Sequence, residues 1–194
     1  MNVRQMTNTE LKQKAEAFGQ TLYQCAKKQP ERKFHALYDK IYRPDILKTA
    51  WLMVQGNKGS AGVDGITIEY IENKVTEREF LNTLYTKLKE ERYGPQPVKR
   101  VYIPKGNGES RPLGIPTIED RVVQQATRLV VEPIFEADFK ECSYGFRPSR
   151  NAHQAVTAIQ KSSRNTFWVV DVDIKGYFDH INHEKLMKLV ELRI

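Results

Sequence analysis

The 194-residue sequence is short of the features on which secreted and membrane proteins depend. It holds two cysteines, Cys25 and Cys142, far apart and without metal-ligand spacing. That scarcity excludes a disulfide framework and a cysteine-based zinc site, and it suits a reducing compartment. No apolar run approaches the ~18 residues of a membrane span, and no charged n-region followed by an apolar h-region opens the chain. Neither secretion nor a membrane partner is therefore expected. Internal repeats and low-complexity tracts are absent as well. Acidic residues are the minority charge, 24 Asp and Glu against 31 Lys and Arg, giving a net charge of +7 and a pI near 9.3. Such a balance favours polyanionic partners, because neutralising phosphates releases counterions.

The excess is local. Residues 1–60 carry 11 Lys/Arg against 5 Asp/Glu (+6), residues 61–120 carry 9 against 10 (−1), and residues 121–194 carry 11 against 9 (+2). A grip on nucleic acid is thus expected at the amino end.

Residues 1–55 read as helix. Leu11, Ala15, Phe18, Leu22 and Cys25 recur at helical steps up to Pro30. A second helix is expected to carry Phe34, Leu37, Tyr38 and Ile41, and a third, opened by Pro44, to carry Ile46, Leu47, Ala50, Trp51 and Val54. A glycine-rich loop spans 56–62. Residues 76–92 form a charged amphipathic helix, with Thr76 and Glu79 as a capping-box-like pair and Phe80, Leu81, Leu84 and Leu88 facing the core. Two strand-like runs, 98–103 and 111–115, predict a half-buried hairpin, since Val101 and Ile103 alternate with Arg100 and Tyr102. Further helices are expected from Thr117 to about Phe135, from about Asn151 to Ser162, and from near Asn182 onward. Between the last two, Phe167-Trp168-Val169-Val170 reads as a short apolar strand running into Asp171-Val172-Asp173.

A strand that delivers a carboxylate at its end is a good holder for a hard cation such as Mg²⁺. In a strand Asp171 and Asp173 point to the same face, so both can approach one site, or one can ligate while the other supports it. An Asp-x-Asp in this place also suits a metal-dependent glycosyltransferase acting on nucleotide sugars. His180 and His183 lack a third ligand, and with His153 they read as structural.

Four blocks of sequence decide between these readings. Asp173-Ile174-Lys175-Gly176-Tyr177-Phe178-Asp179, followed by Ile181-Asn182-His183, resembles the first palm motif of group II intron reverse transcriptases. Gly59-Ser60-Ala61-Gly62-Val63-Asp64-Gly65-Ile66-Thr67 resembles the start of that family's fingers. Arg111-Pro112-Leu113-Gly114-Ile115-Pro116 with Asp120-Arg121, and Tyr144-Gly145-Phe146-Arg147-Pro148 with Asn151-Ala152-His153, resemble the next two blocks. The resemblance implies an α+β fold, mostly helical with a β-hairpin and a short palm strand. It divides the chain into a basic helical extension (1–55), fingers (56–165) and the beginning of a truncated palm (166–194).

The resemblance also assigns roles. Asp173 corresponds to the catalytic aspartate that binds Mg²⁺, in a mechanism with two ions roughly 3.5–4 Å apart. Lys105 and Arg111 correspond to the fingertip cations that clamp the incoming deoxynucleoside triphosphate. Phe178 corresponds to the bulky gate beneath the sugar, and the backbone around Ile174 and Tyr177 faces the triphosphate. Lys58, Arg147 and Arg150 are expected at template or intron RNA, while Tyr144 and Phe146 meet the template or pack fingers on palm. The sequence has no Asp-Asp pair, which the Tyr-x-Asp-Asp hairpin of such enzymes requires. The expectation is therefore a fragment of a bacterial, cytoplasmic RNA-directed DNA polymerase and splicing maturase that binds intron RNA, template and DNA primer. Alone it is expected to be inactive, and the apolar surface of its incomplete palm favours a homodimer. The alternatives are a non-catalytic splicing factor derived from a reverse transcriptase, the glycosyltransferase, and, within the class, retron or diversity-generating enzymes.

Overall fold

The structure, a computed structural model, describes residues 7–104, 106, 108–164 and 168–194. Helix α1 (Asn8–Lys28) starts at a capping box in which the Glu10 amide donates to Thr7 Oγ1 (3.2 Å) and the Thr7 amide donates to Glu10 Oε2 (2.7 Å). Lys27 and Lys28 in its last turn complement the negative end of the helix dipole. The expected second helix is reduced to one turn, α2 (Tyr38–Ile41). Phe34 and Leu37 are buried, but they reach the core from non-helical chain. Ala36 adopts a left-handed φ of 55°, and the Phe34 amide donates to the Arg193 carbonyl (2.9 Å) instead of to a helical acceptor. Here a tertiary contact overrides local periodicity.

Helix α3 (Pro44–Gly56) has proline at its first position, where the missing N–H does no harm. It buries Ile46, Leu47, Ala50, Trp51 and Val54, the stripe that the sequence predicts. A short helix the sequence reading did not foresee follows: α4 (Ile68–Tyr70) runs directly into a π-helical turn, Ile71–Val75, burying Ile68 and Ile71. Thr67 caps it by accepting from the Tyr70 amide (3.1 Å). Helix α5 (Glu77–Lys89) then begins at Thr76 and buries Leu84 and Leu88.

Strands β1 (Lys99–Pro104) and β2 (Ser110–Ile115) form an antiparallel hairpin in the register Val101↔Leu113 and Ile103↔Arg111. It is exposed on both faces, not half-buried as its alternation suggests: Val101, Leu113 and Tyr102 all stay accessible, Tyr102 by 61%. Helix α6 (Ile118–Glu136) is the centre of the core. Ile118, Val122, Ala126, Val130 and Ile134 are fully buried against α1 and α3. Each fully buried Ile or Val side chain there contributes roughly 1.5–3 kcal/mol. Helices α7 (Ala152–Ser162), α8 (Tyr177–His180) and α9 (His183–Val190) complete the order. Asn151 and Gln154 form a second capping box at α7, and Asn182 caps α9 by accepting from the Lys185 amide. None of the described helices is long and apolar enough to cross a membrane.

The expected palm strand is not formed among the described residues. Phe167 lies outside them, and Trp168, Val169 and Val170 are non-helical, unpaired and exposed. A strand is held by lateral pairing, and the sheet that is described consists of β1 and β2 alone.

Two contacts fix the junction between the glycine loop and α6. Asp120, only 2% accessible, accepts from Tyr93 Oη (2.5 Å), the Gln96 amide (3.2 Å) and Thr117 Oγ1 (2.7 Å). Gly62 lies so close to the chain at Thr117 that a Cβ would stand 2.6 Å from its Cα and 2.7 Å from its nitrogen. Asp120→Ala leaves three donors unmatched and is expected to lower stability by about 2–4 kcal/mol. Thermal denaturation followed by circular dichroism reads this as a fall in Tm of roughly 5–15 °C. Gly62→Ala is expected to lower stability by about 1–3 kcal/mol through backbone displacement.

Candidate active site

The segment that carries Asp173 is short and open. From Trp168 to Lys175 the chain has no regular structure, and Asp171 and Asp173 both face solvent. Gly176 then turns it, with φ of 61° in the left-handed region, and a Cβ at that position would come 2.9 Å from His180 Nδ1. The Gly176 carbonyl accepts from the Asp179 and His180 amides (3.1 Å each) and lies 2.8 Å from His180 Nδ1, which starts α8. His180 therefore serves the turn. Tyr177 and Phe178 stack edge to face at 5.5 Å, and Phe178 projects outward with 81% of its surface accessible. Ile174 is likewise exposed. Asp171 and Asp173 offer the hard oxygen donors that Mg²⁺ takes. Among the described residues no group of three or more His, Cys, Asp or Glu side chains is arranged to hold a metal.

Of the two cations expected at the triphosphate, Arg111 lies on the hairpin. Arg111 is the second residue of β2, opposite Ile103, and is exposed on the same hairpin face as Val101 and Leu113. Lys105 lies outside the described residues. The hairpin makes no substantial contact with α8 or α9.

The arginines expected at RNA are occupied within the fold. Arg147 is only 6% accessible in its side chain. Its Nε and Nη2 donate to Glu136 at 2.7–3.1 Å, and its Nη1 donates to the carbonyls of Lys140 (2.7 Å) and Ser143 (2.9 Å). The Glu136 carboxylate holds this guanidinium more firmly protonated than usual. Its plane also covers the Phe139 ring at 5.3 Å. Arg147 thus pins the turn that displays Phe146, whose ring is fully accessible and whose φ is 55°. Arg150 pairs with Glu141 (2.5 Å) over the Tyr144 ring, and this hydrogen bond holds the Glu141 carboxyl below its ordinary range. Lys58 is exposed in the 56–62 loop, in a left-handed conformation of φ 45°.

Sequence reasoning missed Glu136, eleven positions before its partner, because no local pattern announces a pair at that distance. It also missed Arg193, which is buried and donates to Asp138 and to the carbonyls of Ala26, Gln29 and Arg32.

The order of these motifs has counterparts in known proteins. A family model described as reverse transcriptase (RNA-dependent DNA polymerase) matches residues 103–193. Group II intron-encoded protein LtrA of Lactococcus lactis subsp. cremoris is 40% identical over 162 residues, 83% of this chain and 26% of that protein. The chain belongs to the group II intron reverse transcriptase family. Protein YkfC of Escherichia coli K12 is 38% identical over 172 residues, covering 85% of the chain and 45% of that protein. The mitochondrial nuclear intron maturase 1 of Arabidopsis thaliana is 33% identical over 76 residues, 39% of the chain and 11% of that protein. The chain thus spans about a quarter of LtrA and less than half of YkfC. Arg111, Asp173 and Phe178 fall inside the reverse transcriptase match, whereas Lys58 precedes it.

The exposure of the segment before Asp173 has an optical consequence. Trp168 is 90% accessible and Trp51, the other tryptophan, is fully buried. Fluorescence is expected to have one component quenched by iodide and one resistant to it, with Trp168→Phe removing the quenchable one. Resistance of both tryptophans would place residues 168–170 in a folded strand instead.

Proposed function

We propose that this chain is the part of an RNA-directed DNA polymerase and intron splicing maturase that binds intron and template RNA and supplies one edge of the nucleotide site. The observation that carries the reading is the 40% identity to an intron-encoded protein across 83% of the chain, with the motif blocks in order. On this reading Asp173 donates a carboxylate oxygen to Mg²⁺, with Asp171 beside it. The bound ion supplies Lewis-acid polarisation of phosphoryl oxygens. Arg111 and Lys105 neutralise the triphosphate, Arg through a bidentate fork and Lys as a point charge. On the same reading the backbone N–H groups around Ile174 and Tyr177 meet phosphate oxygens. The Phe178 ring blocks a ribose 2′-hydroxyl, so deoxynucleotides are preferred over ribonucleotides. Working this way in a bacterial cytoplasm, the protein also uses a DNA primer annealed to the template.

The alternative, a non-catalytic splicing factor of the same descent, differs from this reading in making no DNA. Primer extension on an RNA template separates the two when applied to the complete protein. There Asp173→Ala is expected to abolish synthesis, and Phe178→Ala to raise ribonucleotide incorporation roughly tenfold or more. The 194-residue chain alone is expected to give no product, and template-dependent synthesis by it would overturn the view that its site is incomplete. RNA affinity is expected to fall steeply with salt. The exposed apolar residues Ile159, Trp168, Val169 and Val170 line a groove of about 620 Å³ and suit self-association, which sedimentation at rising concentration checks.

A further inference from the structure

Arg121, Gln124, Gln125 and Arg128 follow one another on α6 at steps of three, one and three residues, so they share one stripe of the helix. That stripe is distinct from the buried one at Ile118, Val122, Ala126 and Val130. Together with Val54 and Asn57 at the end of α3, the four side chains line a groove of about 270 Å³. The lining contains five polar side chains and no carboxylate. Lys58, next in sequence to Asn57, is exposed.

The groove is built on a fixed cation. Arg121 donates from Nε (3.1 Å) and Nη2 (2.9 Å) to the Pro116 carbonyl, and from Nη2 to the Ser60 carbonyl. Gly59 lies against it so closely that a Cβ would stand 2.5 Å from Nη1. Among the described residues neither the Nη1 of Arg121 nor that of Arg128 donates to a protein acceptor. Arg128 pairs only with Glu132, through Nε (3.0 Å) and Nη2 (2.8 Å), and this pair is solvent-exposed. An exposed pair of this kind is readily exchanged for a phosphate. The side-chain amides of Asn57 and Gln124 make no hydrogen bond among the described residues, and Gln125 only leans on Met53 Sδ at 3.4 Å. Amides both donate and accept, which suits a ribose 2′-hydroxyl or a base edge beside each phosphate. Seven residues of helix place the two arginines about 10.5 Å apart along the axis. One phosphate cannot bridge that separation, so the stripe fits an extended polyanion better than a single anion.

We infer that this α3–α6 groove binds the backbone of single-stranded RNA, on elements separate from the segment that carries Asp173. The inference rests on the proposed RNA-binding function and assigns it a surface. Fluorescence anisotropy with a labelled single-stranded RNA of about a dozen nucleotides tests it on the 194-residue chain. Arg128→Glu is expected to weaken binding about tenfold near 0.1 M salt and to reduce the salt slope by about one. Lys161→Glu, the same charge change on α7, is expected to leave binding within about twofold. The Gln124→Ala/Gln125→Ala double variant is expected to weaken RNA about threefold while leaving DNA of the same sequence unchanged.

If R128E binds RNA as tightly as the unaltered chain, the groove is wrong and the RNA-binding function stands. Equal losses in R128E and K161E reduce the effect to net charge and overturn the groove. If an acidic peptide of matched charge displaces the RNA as well as unlabelled RNA does, the occupant is misassigned. No RNA binding by the unaltered chain removes the proposed RNA-binding function itself, and the groove with it.

Discussion

The buried carboxylate of Asp120 is the constraint around which the fold is arranged. Burying a carboxylate is expensive unless donors replace its water, and among the described residues no cation pairs with it. The Tyr93 hydroxyl, the Gln96 amide and the Thr117 hydroxyl do so instead, at the amino end of α6 where the helix dipole favours negative charge. Burial and the neighbouring carboxylate in turn push the Tyr93 phenol well above its usual range, so it stays a donor throughout the physiological pH span. One side chain therefore ties the end of α5, the entry to the hairpin and the first turn of the central helix. Because the hairpin is fastened at its base, its two faces can remain in solvent and still hold a defined direction.

A second fixed point closes the other side of the core. Arg193 satisfies carbonyls left over at the end of α1 and pairs with Asp138 just after α6, while its own carbonyl accepts from Phe34. Between these anchors the turn around Phe146 is held by Arg147, and the stretch from Trp168 to Lys175 is held by little. The parts that meet nucleotide in the proposed function are thus the parts with the fewest internal contacts. Local stability is expected to be lowest where binding residues must adapt.

What the sequence made legible was whatever a short window contains. Pro44 and the apolar stripe of α3, Thr117 at the start of α6 and Asn151 at the start of α7 mark their helices with local chemistry, and each helix forms where its marks stand. The glycine- and proline-bounded hairpin was equally local. The reading failed where distant atoms decide. Phe34 and Leu37 have helical spacing, yet the Arg193 carbonyl, far along the chain, claims the Phe34 amide. Trp168, Val169 and Val170 have strand composition, yet composition supplies no neighbour to pair with. Val101 and Tyr102 alternate like a half-buried strand, and nothing in the alternation reveals that no layer covers either face. At the site, the occupation of Arg147 by Glu136 was invisible because the two stand eleven positions apart across a turn.

This division among the arginines also changes what the basic composition means. Arg43 is paired with Asp45 and lies over the Phe18 ring, Lys48 is paired with Glu77, and Lys27 donates to the Ala137 carbonyl. These cations are fasteners of the amino-terminal helices. Lys12, Lys14, Lys28, Lys33 and Lys58 remain exposed, with no acidic partner among the described residues. They are spread over α1 and two loops, and lysine is a point charge on a flexible stem. Such an array attracts RNA from any direction without fixing its register. Register needs donors held rigidly at set spacing, a condition the helical stripe of α6 meets because one of its arginines is already anchored to two backbone carbonyls. In the proposed RNA-binding function the net charge of the amino end and the geometry of the central helix therefore serve different steps, the first encounter and the second placement.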